Sequence, residues 1–125
     1  MTHIAGPDGP PRNLEVRTID SKILAILWDI PEVPNGIIQY HRLYVNYHNS
    51  SRIYEIEVDP QYTLFFLEFL YPHQTVSISV SATTGGGEGP QSGYVSNTTA
   101  EAGQYYDMFI AYIMDLFLIH PHRTR

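Results

Sequence analysis

The chain contains no cysteine among its 125 residues. This absence excludes a disulfide framework, thiol chemistry and a cysteine-liganded zinc site. It does not decide the cellular compartment, because a domain of this length can be stable on its hydrophobic core without disulfides.

Basic residues are also scarce. Seven Lys and Arg stand against thirteen Asp and Glu, which gives a net charge of −6. The basic residues are scattered, whereas nucleic-acid and anionic-membrane surfaces are bound by clusters of positive charge. We therefore expect no nucleic-acid partner, and membrane association only through the rest of a parent chain.

The first residues lack the features of a secretory signal peptide. Residues 1–7 have no basic start and no apolar core. If the domain is extracellular, we expect it to be one piece of a longer protein.

Short apolar runs are the main feature that is present. They recur at the spacing of an all-β sandwich after a Gly/Pro-rich linker at residues 6–11. The clearest run alternates Val76, Ile78 and Val80 with serines, which predicts one face on the core and a serine face in water. In all we expect seven antiparallel strands in two sheets.

Two other runs are more apolar than one buried face requires. In residues 23–28 the side chains on both faces of the expected strand are apolar, which indicates a central strand or one covered by a partner. In residues 63–70, Phe65, Leu67 and Leu70 are best placed inward, so Phe66 and Phe69 are hard to bury within one sandwich.

Several motifs in order resemble the fibronectin type III family over residues 7–100: Trp28 with Pro31, Asn35-Gly36 with Ile38, Leu70 with Pro72, then Val80, Ala82, Gly87, Gly89 and Ser92. The chain is most similar to repeats in ectodomains of receptor-type tyrosine phosphatases and related cell-surface proteins. The resemblance implies an immunoglobulin-like sandwich with Trp28, Leu70 and Val80 in its core.

Two positions depart from the family pattern. Val76 stands where the family usually has a corner tyrosine, so the hydroxyl bond of that corner is missing. His41 replaces the usual tyrosine of the third strand. Both changes suggest a divergent or less stable copy.

The ends of the chain lie outside this pattern. We expect a leader at residues 1–6 and a hydrophobic tail at residues 101–125. Residues 105–119 hold thirteen apolar residues and two aspartates, with Asp107, Ala111 and Asp115 on one helical stripe. Fifteen helical residues span about 22 Å, too short for a membrane core of about 30 Å. Two readings stay open: a helix docked on this domain or a partner, or an inert appendage.

No constellation of residues indicates catalysis, a metal or a cofactor. The six histidines do not converge, and Glu55 and Glu57 on one strand face are typical of a solvated surface. The glycines of residues 85–89 lack the lysine of a phosphate loop. We therefore expect no enzyme activity and no small-molecule substrate.

Surface positions carry the remaining predictions. Asn49 and Asn97 each begin a glycosylation sequon. Candidate protein contacts share an outer strand face and a neighbouring loop: Tyr40, Arg42, Tyr44, Gly86 and Glu88. Exposed Tyr and Arg are favoured at binding hot spots, although these tyrosines equally fit a role in covering the sheet.

The resemblance implies a non-catalytic structural and protein-binding module. Its partners would be other proteins or neighbouring fibronectin type III repeats, in the extracellular part of a plasma-membrane protein or in a secreted one. Two alternatives stay open: an intracellular scaffold or cytoskeletal module, and an accessory module of a larger enzyme such as a receptor tyrosine phosphatase.

Overall fold

The structure is a computed structural model that describes residues 5–102. In that range the chain forms eight β-strands and no helix: β1 Arg12–Thr18, β2 Leu24–Asp29, β3 Tyr40–Tyr47, β4 Ile53–Val58, β5 Leu64–Leu67, β6 Thr75–Thr84, β7 Gly87–Glu88 and β8 Val95–Thr98. Since it contains no helix, this range also contains none that could cross a membrane.

The strands form two antiparallel sheets that pack as a sandwich. One sheet has three strands in the order β1-β2-β5. The other has five strands, with β4, β3, β6 and β7 in order and β8 also paired to β6. The predicted all-β, two-sheet antiparallel sandwich is confirmed.

The eighth strand is the short β7, which lies in the glycine-rich segment of residues 85–89 rather than in one of the seven expected strands. β7 pairs with the end of β6, and β8 pairs with its beginning. Between them, Gly89 and Ser92 still donate backbone hydrogen bonds to Ala82 and Val80. Pro90 has no N–H to donate, so the regular ladder breaks at this point.

One large hydrophobic cluster fills the space between the sheets. Trp28 is 3% exposed and shares this cluster with Leu43, Leu70 and Val80. Val76 is also fully buried in it. The alternation of β2, β3 and β6 therefore directs the expected side chains inward.

The outer face of β6 differs from the sequence expectation. Ser79 and Ser81 are 0% exposed, although they point away from the core. Their hydroxyls donate to Gln91 Oε1 at 2.7 Å and Glu88 Oε2 at 2.6 Å. β6 lies inside its sheet, and side chains from the adjoining segment cover the serines, so this face is not wet.

The run at residues 63–70 also differs in part from expectation. Phe65 and Leu67 face the main core as predicted, but Phe66 is buried on the opposite face. Phe69 is 91% exposed and has a φ of 63°, a strained conformation for an aromatic residue. This backbone conformation follows the end of β5 and allows Leu70 to return to the core.

The Gly/Pro-rich start of the domain packs against the sandwich. Pro7 is buried, and the Asp8 amide donates to the Val33 carbonyl at 3.0 Å. A Cβ at Gly89 would lie only 2.8 Å from the Pro7 Cβ. Gly89 is therefore required by close approach of the two segments. Of the expected leader, residues 1–6, and tail, residues 101–125, only residues 5, 6, 101 and 102 belong to the described range.

Candidate protein-binding surface

The outer face of β3 holds a connected set of polar side chains. We call it the Arg42 surface and define it by Tyr40, Arg42, Tyr44, Glu55, Glu57 and Glu88. The strand register places β3 between β4 and β6, so Arg42 lies opposite Glu57 on one side and Ser81 on the other. β7 then brings Glu88 over the same face.

Arg42 is the centre of this surface. Its guanidinium contacts Glu57 Oε2 at 3.1 Å, Glu88 Oε1 at 3.2 Å and Glu55 Oε1 at 3.7 Å. It also donates to the Tyr40 hydroxyl at 3.0 Å and lies over the Tyr40 ring. These contacts fix a long, flexible side chain in one orientation, which lowers the entropy that a partner would have to remove on binding.

Glu88 joins β7 to the two central strands. It accepts hydrogen bonds from the Tyr44 and Ser81 hydroxyls and pairs with Arg42. Burial by itself would raise the pKa of Glu88, but the bonds from Ser81 and Tyr44 and the charge of Arg42 outweigh it, so the pKa is lowered. Glu88 is therefore held ionised.

Tyr44 is placed differently from the sequence expectation. It lies on the predicted outer face but is only 8% exposed. Burial raises the pKa of its hydroxyl, and the bond to Glu88 raises it further. Tyr44 thus supports the surface from beneath, while Tyr40 and Arg42 are partly accessible.

The Arg42 surface is acidic. Three carboxylates surround one guanidinium, and Glu55 and Glu57 remain more than half exposed at 54% and 58%. The sequence prediction singled out Arg42 and Glu88 but not Glu55 and Glu57 as contacts. The pairing of β4 with β3 places those two glutamates beside Arg42. Gly86 lies in the β6–β7 turn, at the edge of this surface.

The two sequons lie in different settings. Asn49 is exposed in the turn after β3. Asn97 lies in β8, and its amide nitrogen donates to the Val16 carbonyl at 2.7 Å. Because a glycan is attached through that nitrogen, the accessible sequon is the one at Asn49.

Within residues 5–102, no group of three or more His, Cys, Asp or Glu side chains is arranged to hold a metal ion. His41 is buried in the core, and His48 contacts the Ser77 hydroxyl at 2.9 Å. His73 is exposed in the turn before β6. The histidines therefore occupy separate places in the described part of the fold.

Residues 9–98 match the family model of the fibronectin type III domain. The chain belongs to the fibronectin type III family, whose fold is a non-catalytic one.

Curated relatives come from receptor phosphatases and adhesion molecules. The chain is 31% identical over 87 residues to tyrosine-protein phosphatase Lar of Drosophila melanogaster, covering 68% of this chain. It is 31% identical over 90 residues to human receptor-type tyrosine-protein phosphatase F, and 27% over 109 residues to mouse cell adhesion molecule DSCAML1, covering 69% and 80% of this chain. The match spans only 4–5% of these relatives, so their names describe far longer proteins.

Solved structures show the same fold. The third fibronectin III domain of human KIAA0343 protein superposes with a TM-score of 0.73 at 23% identity, covering 86% of this chain and 94% of that one. The FN1–FN3 domains of chicken CNTN1 give a TM-score of 0.67 at 22% identity, covering 76% and 33%.

Proposed function

We propose that this chain is a non-catalytic protein-interaction module from the extracellular part of a multi-domain cell-surface protein, or from a secreted one. The observation that carries the proposal is the Arg42 surface, in which charged and aromatic side chains are held in place on an open sheet face. The kinship with receptor-type phosphatases and adhesion molecules supports the same reading.

The charge of the Arg42 surface indicates the chemistry of its partner. Glu55 and Glu57 remain accessible, while Arg42 is already paired with carboxylates. A partner with basic side chains would complement this face, and the Tyr40 ring would supply apolar contact. Binding would weaken as salt is raised, since exposed charges are screened.

A binding screen with matched variants tests this function. The full chain is assayed against a panel of secreted and cell-surface ectodomains by biolayer interferometry. We expect a saturable partner whose affinity falls at least about tenfold with Arg42→Ala, because Glu55, Glu57 and the Tyr40 ring lose the side chain that orients them. Arg42→Lys should also weaken it, because lysine cannot bridge several carboxylates at once.

The control is Lys22→Ala, which removes an exposed cation from the β1–β2 turn. It should leave the affinity unchanged. A panel without any binder contradicts the proposal, and so does a partner that responds to Lys22→Ala but not to Arg42→Ala.

Glycosylation tests the extracellular assignment separately. Secreted from mammalian cells behind an added signal peptide, the chain should carry glycan at Asn49, because that side chain is exposed in a turn. Mass spectrometry reads the occupancy, with Asn49→Gln as the matched variant. An unmodified Asn49 would favour the intracellular scaffold alternative. A catalytic domain in the parent chain would favour the accessory-module alternative.

A further inference from the structure

A second apolar cluster lies on the outer face of the three-stranded sheet. The strand register forms two rows across this face, Arg17–Ala25–Phe66 and Glu15–Leu27–Leu64. We call the apolar part of this face the β2–β5 cluster. Its members are Ile19, Ile23, Ala25, Leu27, Leu64 and Phe66.

This face is unlike the outer face of the other sheet. Outward faces of antiparallel sandwiches are usually polar, as the Arg42 surface is. Here Ala25 is 0% exposed and Phe66 8%. A groove of ≈ 700 Å³ also runs along β5 from Tyr62 to the highly exposed Phe69. Ile23, Leu27 and Leu64 remain only partly buried on this face, and the accessible apolar area that they and the groove leave marks a docking surface.

The described chain ends beside this cluster. The Ala100 amide donates to the Asp20 carbonyl at 3.0 Å, which places Ala100 against the β1–β2 turn. That same turn carries Ile19 and Ile23, and the Ile19 amide donates to Ile23 at 3.1 Å. The five residues from Ala100 to residue 105 can extend about 17 Å, which is enough for residue 105 to reach the end of the cluster that Ile19 and Ile23 form.

The segment that follows has a matching composition and length. Residues 105–119 contain thirteen apolar residues, and as a helix they would measure about 22 Å. The six residues of β2 extend about 20 Å. The only charges of the segment are Asp107 and Asp115. Two cations lie near this face: Arg17, which contacts Glu15, and Lys22, which is exposed in the β1–β2 turn.

We propose that residues 105–119 dock on the β2–β5 cluster and cover the outer face of the three-stranded sheet. The binding function assigned to the Arg42 surface lies on the opposite sheet. The two proposals can therefore fail independently.

Disulfide trapping in the full chain tests this docking. Because the chain has no native cysteine, only the introduced cysteines can form a disulfide. Leu64→Cys is combined with a single cysteine at each position from 108 to 117 in turn. A disulfide requires Cα atoms within about 7 Å. We expect cross-linking within one molecule at positions three or four apart, the pattern of one helical face. The matched control is Glu55→Cys on the opposite sheet with the same scan.

Any result other than this pattern of internal cross-links contradicts the proposal. Covalent dimers in place of internal cross-links would mean that a second copy covers the face. Equal cross-linking to Glu55→Cys would mean that the segment has no fixed site, and no cross-linking in a folded protein would mean that it docks elsewhere or nowhere. Trp28 fluorescence checks folding before oxidation. If Leu64→Cys does not fold, Leu27→Cys on the adjacent strand replaces it.

Discussion

The indole ring of Trp28 lies edge-on to the imidazole ring of His41, with centroids 5.4 Å apart and an interplanar angle of 70°. Trp28 belongs to the three-stranded sheet and His41 to the five-stranded sheet, so this contact joins the two layers. Both rings are buried. Within the described residues, neither Trp28 Nε1 nor the His41 nitrogens have a partner in hydrogen-bond geometry.

The first prediction concerns pH. Burial lowers the pKa of His41 below its ordinary value of 6.5, and a backbone group of Tyr62 opposes this only in part. The unfolded chain then binds a proton more readily than the folded one. Stability should be full above pH 6.5 and decline as the pH falls toward the lowered value, with no further loss from this group below it.

Urea unfolding at a series of pH values measures this effect. His41→Tyr should flatten the decline between pH 7 and 5, because the titrating group is gone. The control His73→Asn removes an exposed histidine, and asparagine tolerates its positive φ. An unchanged slope in His41→Tyr would contradict the assignment.

The second prediction concerns the core. Trp28→Ala should cost on the order of 3–5 kcal/mol of unfolding free energy, since it leaves a large cavity between the sheets. Chemical denaturation followed by circular dichroism measures the change. The matched variant Tyr94→Ala removes an aromatic ring that is half exposed. A similar loss in both variants would argue against a central role for Trp28.

The third prediction concerns the corner position at Val76. Tyrosine would restore the residue that the family usually has there, but Val76 is fully buried in the main core. Val76→Tyr should therefore destabilise the domain by about 1–3 kcal/mol through overpacking. A higher melting temperature in this variant would mean instead that the core readily accepts the ring and its hydroxyl bond.

The fourth prediction concerns Gly89. A methyl group there would lie 2.8 Å from the Pro7 Cβ, so Gly89→Ala should displace the start of the domain and cost about 1–3 kcal/mol. Gly93→Ala is the control, because a Cβ there meets nothing within 4 Å. Equal melting temperatures for the two variants would show that the Pro7 segment moves away at no cost.

The fifth prediction concerns the boundary after Ala100. A chain ending at Glu101 should still unfold cooperatively, since both sheets and the main core lie before that point. If residues 105–119 dock as proposed, the shorter chain should also melt earlier and bind the dye ANS on the uncovered β2–β5 cluster. Loss of cooperative unfolding would place the tail in the core, and an unchanged midpoint would argue against docking.

The sequence by itself determined the sheet structure and the main core. The alternation of Val76, Ile78 and Val80, and the family pattern around Trp28 and Leu70, required an antiparallel sandwich. A strand with period two has only one way to place its apolar residues inward. His41 also follows this rule, because it alternates in step with Leu43 and Val45 and is buried with them.

Tertiary structure decided what the outer faces do. Ser79 and Ser81 are buried because Gln91 and Glu88 return over β6, and Tyr44 is buried by the same return. Glu55 and Glu57 reach Arg42 only through the pairing of β4 with β3. Local periodicity predicts which face of a strand a residue occupies. Its neighbours on that face depend on strand order and register, which are set by contacts between residues distant in sequence.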